Sequence, residues 1–250
     1  MPEVIIGRNA VLEALRVERQ IARVLLDRGV RGDHRLGEVL SLAELRGIPV
    51  QRVLRDVLDR ESEQGIHQGV VAFAEPLPAI GVDDLAAIST QKGEAPLYVL
   101  LDGIEDPHNL GAILRTCEAA GVHGVVTRIR RAVGLTPAAM KAAAGAAEYV
   151  PLSQVANIAQ AMEKLKSKGV WTVGIDSKAK DRYLSVDYRP PTAIVVGAEG
   201  EGISTLVKKN CDFLVSIPMR GRITSLNASV AAAVVLYEVV RQRAIKEQAS

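Results

Sequence analysis

From residue 97 onward the chain alternates short, continuous apolar runs with segments of helical period, and this alternation limits the fold more than any other feature. The runs are residues 97–101, 124–127, 170–175, 192–196 and 213–217. Helical patterning occupies 110–120, 137–147, 155–168, 203–209 and 228–245. A strand wetted on one side alternates apolar and polar residues, whereas a strand apolar throughout must be covered on both faces. Such strands separated by helices predict an α/β fold, a parallel sheet with helices on both sides. In sheets of this kind ligands bind beyond the C-terminal ends of the strands, so the loops there become the candidate site.

Residues 1–74 read as a smaller α/β unit. A helical period follows Asn9, Arg23-Val-Leu-Leu-Asp is strand-like, 36–45 is helical and 69–74 is an apolar strand. Pro76, Pro78, Gly81, Gly93 and Pro96 then punctuate the chain around a short helical stretch at 82–88, which predicts an inter-domain connection. The expected organisation is a domain at 1–75, a linker at 76–96 and a second domain at 97–250.

Composition narrows the function classes. With 48% hydrophobic residues in 250, a packed core is available and whole-chain disorder is excluded. Aromatic residues make up only 3%, so the core is aliphatic and reading bases by stacking on aromatic platforms is disfavoured. Cys117 and Cys211 are too few for a disulfide framework or a zinc cluster and read as buried small hydrophobes. No metal site is expected. The sequence lacks a membrane-length apolar run and a secretory leader, so a soluble cytoplasmic protein without a membrane partner is expected. Net charge is +2, but its distribution is uneven: 126–147 holds Arg128, Arg130, Arg131 and Lys141 and no acid. A second basic pair is Arg220 and Arg222, and the first seventy residues carry eleven arginines, no lysine and eleven acids. Arginine forks match phosphates, so local basic surfaces on a nearly neutral protein fit a polyanion; solvated surface charge is the plainer reading.

Three strand-to-helix loops carry the chemistry. The first runs from Asp102 to Thr116, with Asn109 where a helix N-cap is wanted. Leu110, Ile113, Leu114 and Cys117 share one helical face, and Arg115 falls off it, three residues before Glu118. Arg115 is then either half of a surface pair with Glu118 or a cation held over the sheet edge to meet phosphate. His108 reads as a loop residue. The second loop, Val196-Gly-Ala-Glu-Gly-Glu-Gly, is neither a dinucleotide fingerprint nor a Walker A loop. Glu199 and Glu201 would repel a pyrophosphate, which points to an adenosine or amino-acid moiety. In the third, a basic turn after Pro218 leads to Ser225 and Asn227 at the head of a long helix. Plain capping would explain those two, but Ala228, Ala231, Ala232 and Ala233 imply a closely packed neighbouring backbone.

These loops resemble the three motifs of the SpoU (TrmH-like) RNA ribose 2′-O-methyltransferases. N-L-G-A-I-x-R-T lies at 109–116, V-G-A-E-G-E-G at 196–202 and I-P-M-x-G-x-x-x-S-L-N-x-S at 217–229, in family order, and the similarity spans about 97 to 243. The first seventy residues resemble the RNA-binding, ribosomal-protein-like domain of the RlmB branch, and 142–152 is similar to a segment of that branch. Ala228 departs from the family's usual Val, and Arg220 and Arg222 are a further departure.

The resemblance implies a SPOUT parallel-sheet domain whose C-terminal strand and helix form a trefoil knot. It implies S-adenosylmethionine as cofactor, held by Gly197, Gly200, Ile217, Met219, Ser225 and Leu226. It implies catalytic roles for Arg115, Asn109, Glu199, Ser225 and Asn227, with Arg115 the residue assigned to activate the hydroxyl. An arginine does not give up its proton in a protein, so Arg115 is read as positioner and stabiliser of the developing alkoxide, and the others as orienting it and the ribose. The implied substrate is a guanosine of 23S rRNA, with tRNA ribose methylation or a non-catalytic RNA-binding assembly factor as alternatives. A homodimer through the catalytic domain is also implied.

Overall fold

The computed structural model of the chain describes residues 2–63 and 65–247. It divides into two compact units, Met1–Pro78 with Leu135–Tyr149, and Ala79–Gly134 with Val150–Ser250.

The first unit begins with β1 (Glu3–Ile6), α1 (Arg8–Arg16), β2 (Ile21–Asp27), α2 (His34–Leu45), β3 (Val50–Val53), α3 (Arg55–Glu61) and β4 (Val70–Ala74). The strands form a sheet in the order β1-β4-β2-β3, antiparallel except for the β2–β3 pair. α1 is amphipathic and buries Ala10, Val11, Leu12, Ala14 and Leu15. α2 starts where the Asp33 carboxylate accepts the Leu36 N–H at 2.8 Å. Short β1, β3 and α3 escape the pattern reading because four to seven residues hold too few repeats to show a period.

The chain continues through α4 (Val82–Lys92), β5 (Leu97–Asp102), α5 (Pro107–Ala119), β6 (Gly124–Arg128), α6 (Pro137–Ala143), β7 (Leu152–Val155), α7 (Ile158–Lys166), β8 (Trp171–Ile175), β9 (Asp181–Arg182), β10 (Thr192–Gly197), α8 (Thr205–Asn210), β11 (Phe213–Ser216) and α9 (Ala228–Glu247). The second sheet runs β7-β6-β5-β10-β8-β11-β9, with every pairing parallel. α4 fills most of the stretch read as a connection, yet Val82 and Leu85 pack it into the core of this second unit. Patterning offers no strand at β7, of which only the last residue, Val155, falls in the stretch read as helical over 155–168. The true helix, α7, begins later, where the Asn157 side chain accepts the Ala159 N–H.

The helix expected over 137–147 stops at Ala143, because Ala144 turns left-handed (φ 52°) and Gly145 follows at φ 98°. A Cβ on Gly145 would stand 2.4 Å from Glu13 Cγ, so this turn lies flat on α1. Beyond it Glu148 pairs with Arg19 at 2.6 Å, and the Tyr149 hydroxyl donates to the Glu13 carboxylate. Burial pushes the Glu148 carboxyl above its usual range despite the pull of Arg19. Residues 135–149 thus complete the first unit, although their sequence position is between two strands of the second sheet.

Candidate active site

Parallel pairing places Gly197 beside Asp102, so the loops leaving β10 and β5 start side by side. β6 lies on one side of β5 and β10 on the other, so their following connections diverge, and a crevice is expected at this point of the sheet edge. β11 is separated from β10 by β8. The third loop, 217–227, must therefore return over roughly 10 Å, two strand spacings, to reach the first two.

It does so through Asn227. The Asn227 Nδ2 group donates to Asn109 Oδ1 at 2.9 Å and to the Glu199 carboxylate, joining all three loops at one side chain. The same residue caps α9: its Oδ1 accepts the Ser229 N–H at 2.9 Å and the Val230 N–H at 3.3 Å. Capping the helix and bridging the loops are the work of two ends of one amide. Asn109 is not an N-cap. Asp106 takes that position, accepting the His108 N–H with Pro107 in the first turn, and Asn109 sits one turn in, 6% exposed. A buried amide needs partners, and Asn227 provides one.

Arg115 lies on α5, exposed, while Leu110, Ile113, Leu114 and Cys117 are fully buried as their spacing predicts. Among the described residues no ion pair joins Arg115 to Glu118. α9 packs on α5 and β10, and Ala232, Val235, Leu236 and Val239 on it are fully buried. Its far end is held where Arg243 donates to the carbonyls of Tyr188, Pro190, Ala95 and Pro96.

Of the residues expected at the cofactor, Gly197 is buried at the end of β10, Gly200 is exposed, and Ile217, Met219 and Leu226 are half-buried. Ser225 is exposed and, unlike Asn227, is not tied to the Asn109–Glu199 junction. The donor set suits S-adenosylmethionine. From Met219 to Leu226 no backbone group bonds to other backbone among the described residues, leaving amide edges that an adenine can use. Glu199 and Glu201 suit a molecule carrying a sulfonium and an ammonium group better than one carrying phosphates. Burial pushes the Cys117 thiol well up and that of Cys211 to about 12, so neither supplies a thiolate nucleophile near neutrality.

The need for Gly197 comes from the loop itself. Ala198 and Gly202 exchange backbone hydrogen bonds, and a Cβ on Gly197 would stand 2.1 Å from the Gly202 carbonyl carbon and 2.2 Å from the Ile203 nitrogen. Gly197→Ala is therefore expected to lower the melting temperature by several degrees and weaken S-adenosylmethionine binding at least about tenfold, through the ordinary cost of forcing backbone apart. Gly200→Ala meets no atom within 4 Å and carries only the strain of φ 81°. Thermal melting and cofactor titration of the two variants test this. Equal behaviour would remove the special role given to the backbone contact.

One anchor escaped the sequence reading. Asp102, 3% exposed at the end of β5, accepts the Ser204 N–H at 2.8 Å and pairs with Arg128 at the end of β6. It thus ties the second loop to two neighbouring strand ends. The available signal was an acid closing an otherwise apolar run.

Residues 96–237 match the SpoU rRNA methylase family, and residues 4–79 match a family described as RNA 2′-O ribose methyltransferase substrate binding. A protein of Bacillus subtilis named for the TrmH family of tRNA/rRNA methyltransferases, YacO, is 44% identical over 96% of this chain and 95% of its own length. The SpoU methyltransferase AviRb of Streptomyces viridochromogenes, solved with S-adenosylmethionine, superposes with a TM-score of 0.81 at 28% identity, covering 98% of this chain and 91% of its own. An rRNA methyltransferase of Sinorhizobium meliloti, also solved with that cofactor, gives a TM-score of 0.77 at 25% identity over 96% and 87% of the two chains.

Proposed function

Because the chain belongs to the SpoU rRNA methylase family, RNA methyltransferases that use S-adenosylmethionine, we propose that it methylates a ribose 2′-hydroxyl, most specifically that of a guanosine in 23S rRNA. The observation that carries the reading is the Asn109–Asn227–Glu199 junction at the β5–β10 crevice, with Arg115 exposed on the helix that starts there. In this reading S-adenosylmethionine supplies an electrophilic methyl group. The second and third loops hold it through Gly197, Gly200, Ile217, Met219, Ser225 and Leu226. Arg115 keeps its proton, fixes the ribose and its neighbouring phosphate, and offsets the negative charge that grows on the 2′-oxygen as the hydroxyl proton passes to water and S-adenosylhomocysteine leaves. Asn109, Glu199 and Asn227 orient that arrangement by locking the loops together, and Ser225 completes the third loop beside them.

Several features support the rest of the reading. The close packing of α9 on α5 and β10 suits a C-terminal knot. Val230 and Tyr237, exposed on α9, suit a two-fold partner, so the active enzyme is read as a homodimer. No described helix is long and apolar enough to cross a membrane; the reading of the work as cytoplasmic rests on the RNA substrate. The match over 4–79 favours capture of a large structured RNA before methyl transfer.

Ribose-methylation mapping of total RNA from a strain lacking the gene tests the substrate, and sedimentation at micromolar concentration tests the dimer. Loss of one 2′-O-methylguanosine from 23S rRNA is expected. An intact ribosomal pattern with a lost tRNA mark would transfer the assignment to tRNA, and no lost mark at all would favour the non-catalytic alternative.

A further inference from the structure

We propose that the segment Arg128–Arg131 forms an RNA-gripping rim of the active site, with Arg130 and Arg131 holding phosphates of the target strand. The proposal rests on the reading of the chain as an RNA methyltransferase and extends it to residues outside the three motifs.

The segment leaves the C-terminal end of β6, the strand beside β5. It is pinned at both ends. Arg128 pairs with Asp102, the Ile129 N–H donates to the Val155 carbonyl at 2.9 Å, and the Val133 N–H donates to the Ile104 carbonyl at 2.9 Å. That last bond fastens it to the loop that leads into Asn109 and Arg115. Between the pins Ile129, Arg130 and Arg131 are exposed, Ile129 by 59%, and Arg131 holds a left-handed φ of 55°.

The segment's own charge is unbalanced. No acid occurs between residues 126 and 147, and the nearest buried carboxylate, Asp102, is already engaged by Arg128 and the Ser204 N–H. Among the described residues no acid pairs with Arg130 or Arg131. Two guanidinium groups on a fixed backbone, without protein counterions, attract a polyanion and match phosphate geometry. Ile129, next to Arg130 and exposed, offers an apolar surface to a sugar or base edge, as contacts to unpaired RNA require. Position separates this role from cofactor binding. β5 is flanked by β10, whose loop is assigned to S-adenosylmethionine, and by β6, which bears the rim. The loop carrying the proposed ribose-binding residues lies between the two.

The test compares the full-length wild type with Arg130→Ala/Arg131→Ala, using a 23S rRNA transcript and unmodified tRNA transcripts. The double variant is expected to raise KM for RNA about tenfold or more and to reduce the slope of log affinity against log salt by roughly 1.4, at about 0.7 per phosphate contact to a single strand. The rate at saturating RNA and the affinity for S-adenosylmethionine should stay at wild-type values. Arg130→Lys/Arg131→Lys should keep the salt slope. Should the double alanine variant fail to fold, Arg130→Glu alone must still weaken RNA binding and flatten the slope. Wild-type KM and salt slope in the substituted proteins would overturn the rim while leaving the enzyme's assignment intact. A wild type that neither binds nor methylates either RNA would overturn the RNA reading itself and the rim with it.

Discussion

Arg115→Ala is expected to lower the methyl-transfer rate about 100- to 1,000-fold at saturating RNA and S-adenosylmethionine, the loss typical of removing one donor that meets charge developing in a transition state. Arg115 is exposed on α5, away from the buried Leu110, Ile113, Leu114 and Cys117 face. Its removal should therefore change stability by no more than about 0.5 kcal/mol and leave the cofactor loops in place. Single-turnover rates, thermal melting and calorimetric titration of the cofactor separate these effects. Arg115→Lys keeps the charge but not the planar fork, and only partial recovery is expected. Wild-type turnover in Arg115→Ala would end the role assigned to this residue.

Asn227→Asp should cost activity on a similar scale, about 100-fold, for a different reason. The carboxylate can still accept the Ser229 and Val230 N–H groups that Asn227 Oδ1 caps, and Asp caps as well as Asn. It cannot donate to Asn109 Oδ1, and it sets a second negative charge against Glu199. Two carboxylates this close raise the proton affinity of one of them. The deficit relative to wild type should therefore be largest at high pH and shrink as pH falls and the pair takes up a proton. Asn227→Ala loses cap and junction together, adding about 1 kcal/mol of destabilisation and a pH-independent loss of activity. A flat ratio of Asn227→Asp to wild type across pH would mean that the junction with Glu199 does not organise the site.

The three loops that meet at Asn227 were legible because each follows an apolar run and shows glycine, amide or arginine at a strand end. The order in which those strands pair was not. β11 lies beyond β8, so the need for 217–227 to turn back toward β10 appears only in the sheet.

Local pattern by itself determined the parallel α/β class of the second unit, since runs apolar on both faces that alternate with helices call for a sheet covered on both sides. It also determined the buried face of α5, which depends only on helical period, and the position of Arg115 off that face. Tertiary structure decided what depends on distant partners. Asn109 lies inside its helix because Asp106 and Pro107 take the start and Asn227, 118 residues on, satisfies its amide. Gly197 is required by backbone that folds back from Gly202 and Ile203, a clash no spacing rule shows. Residues 135–149 complete the first unit because Glu148 meets Arg19 across 129 residues of chain and buries its charge only there. Helical and strand periods are properties of neighbours along the chain, whereas a buried polar group is settled by whichever partner the fold brings to it.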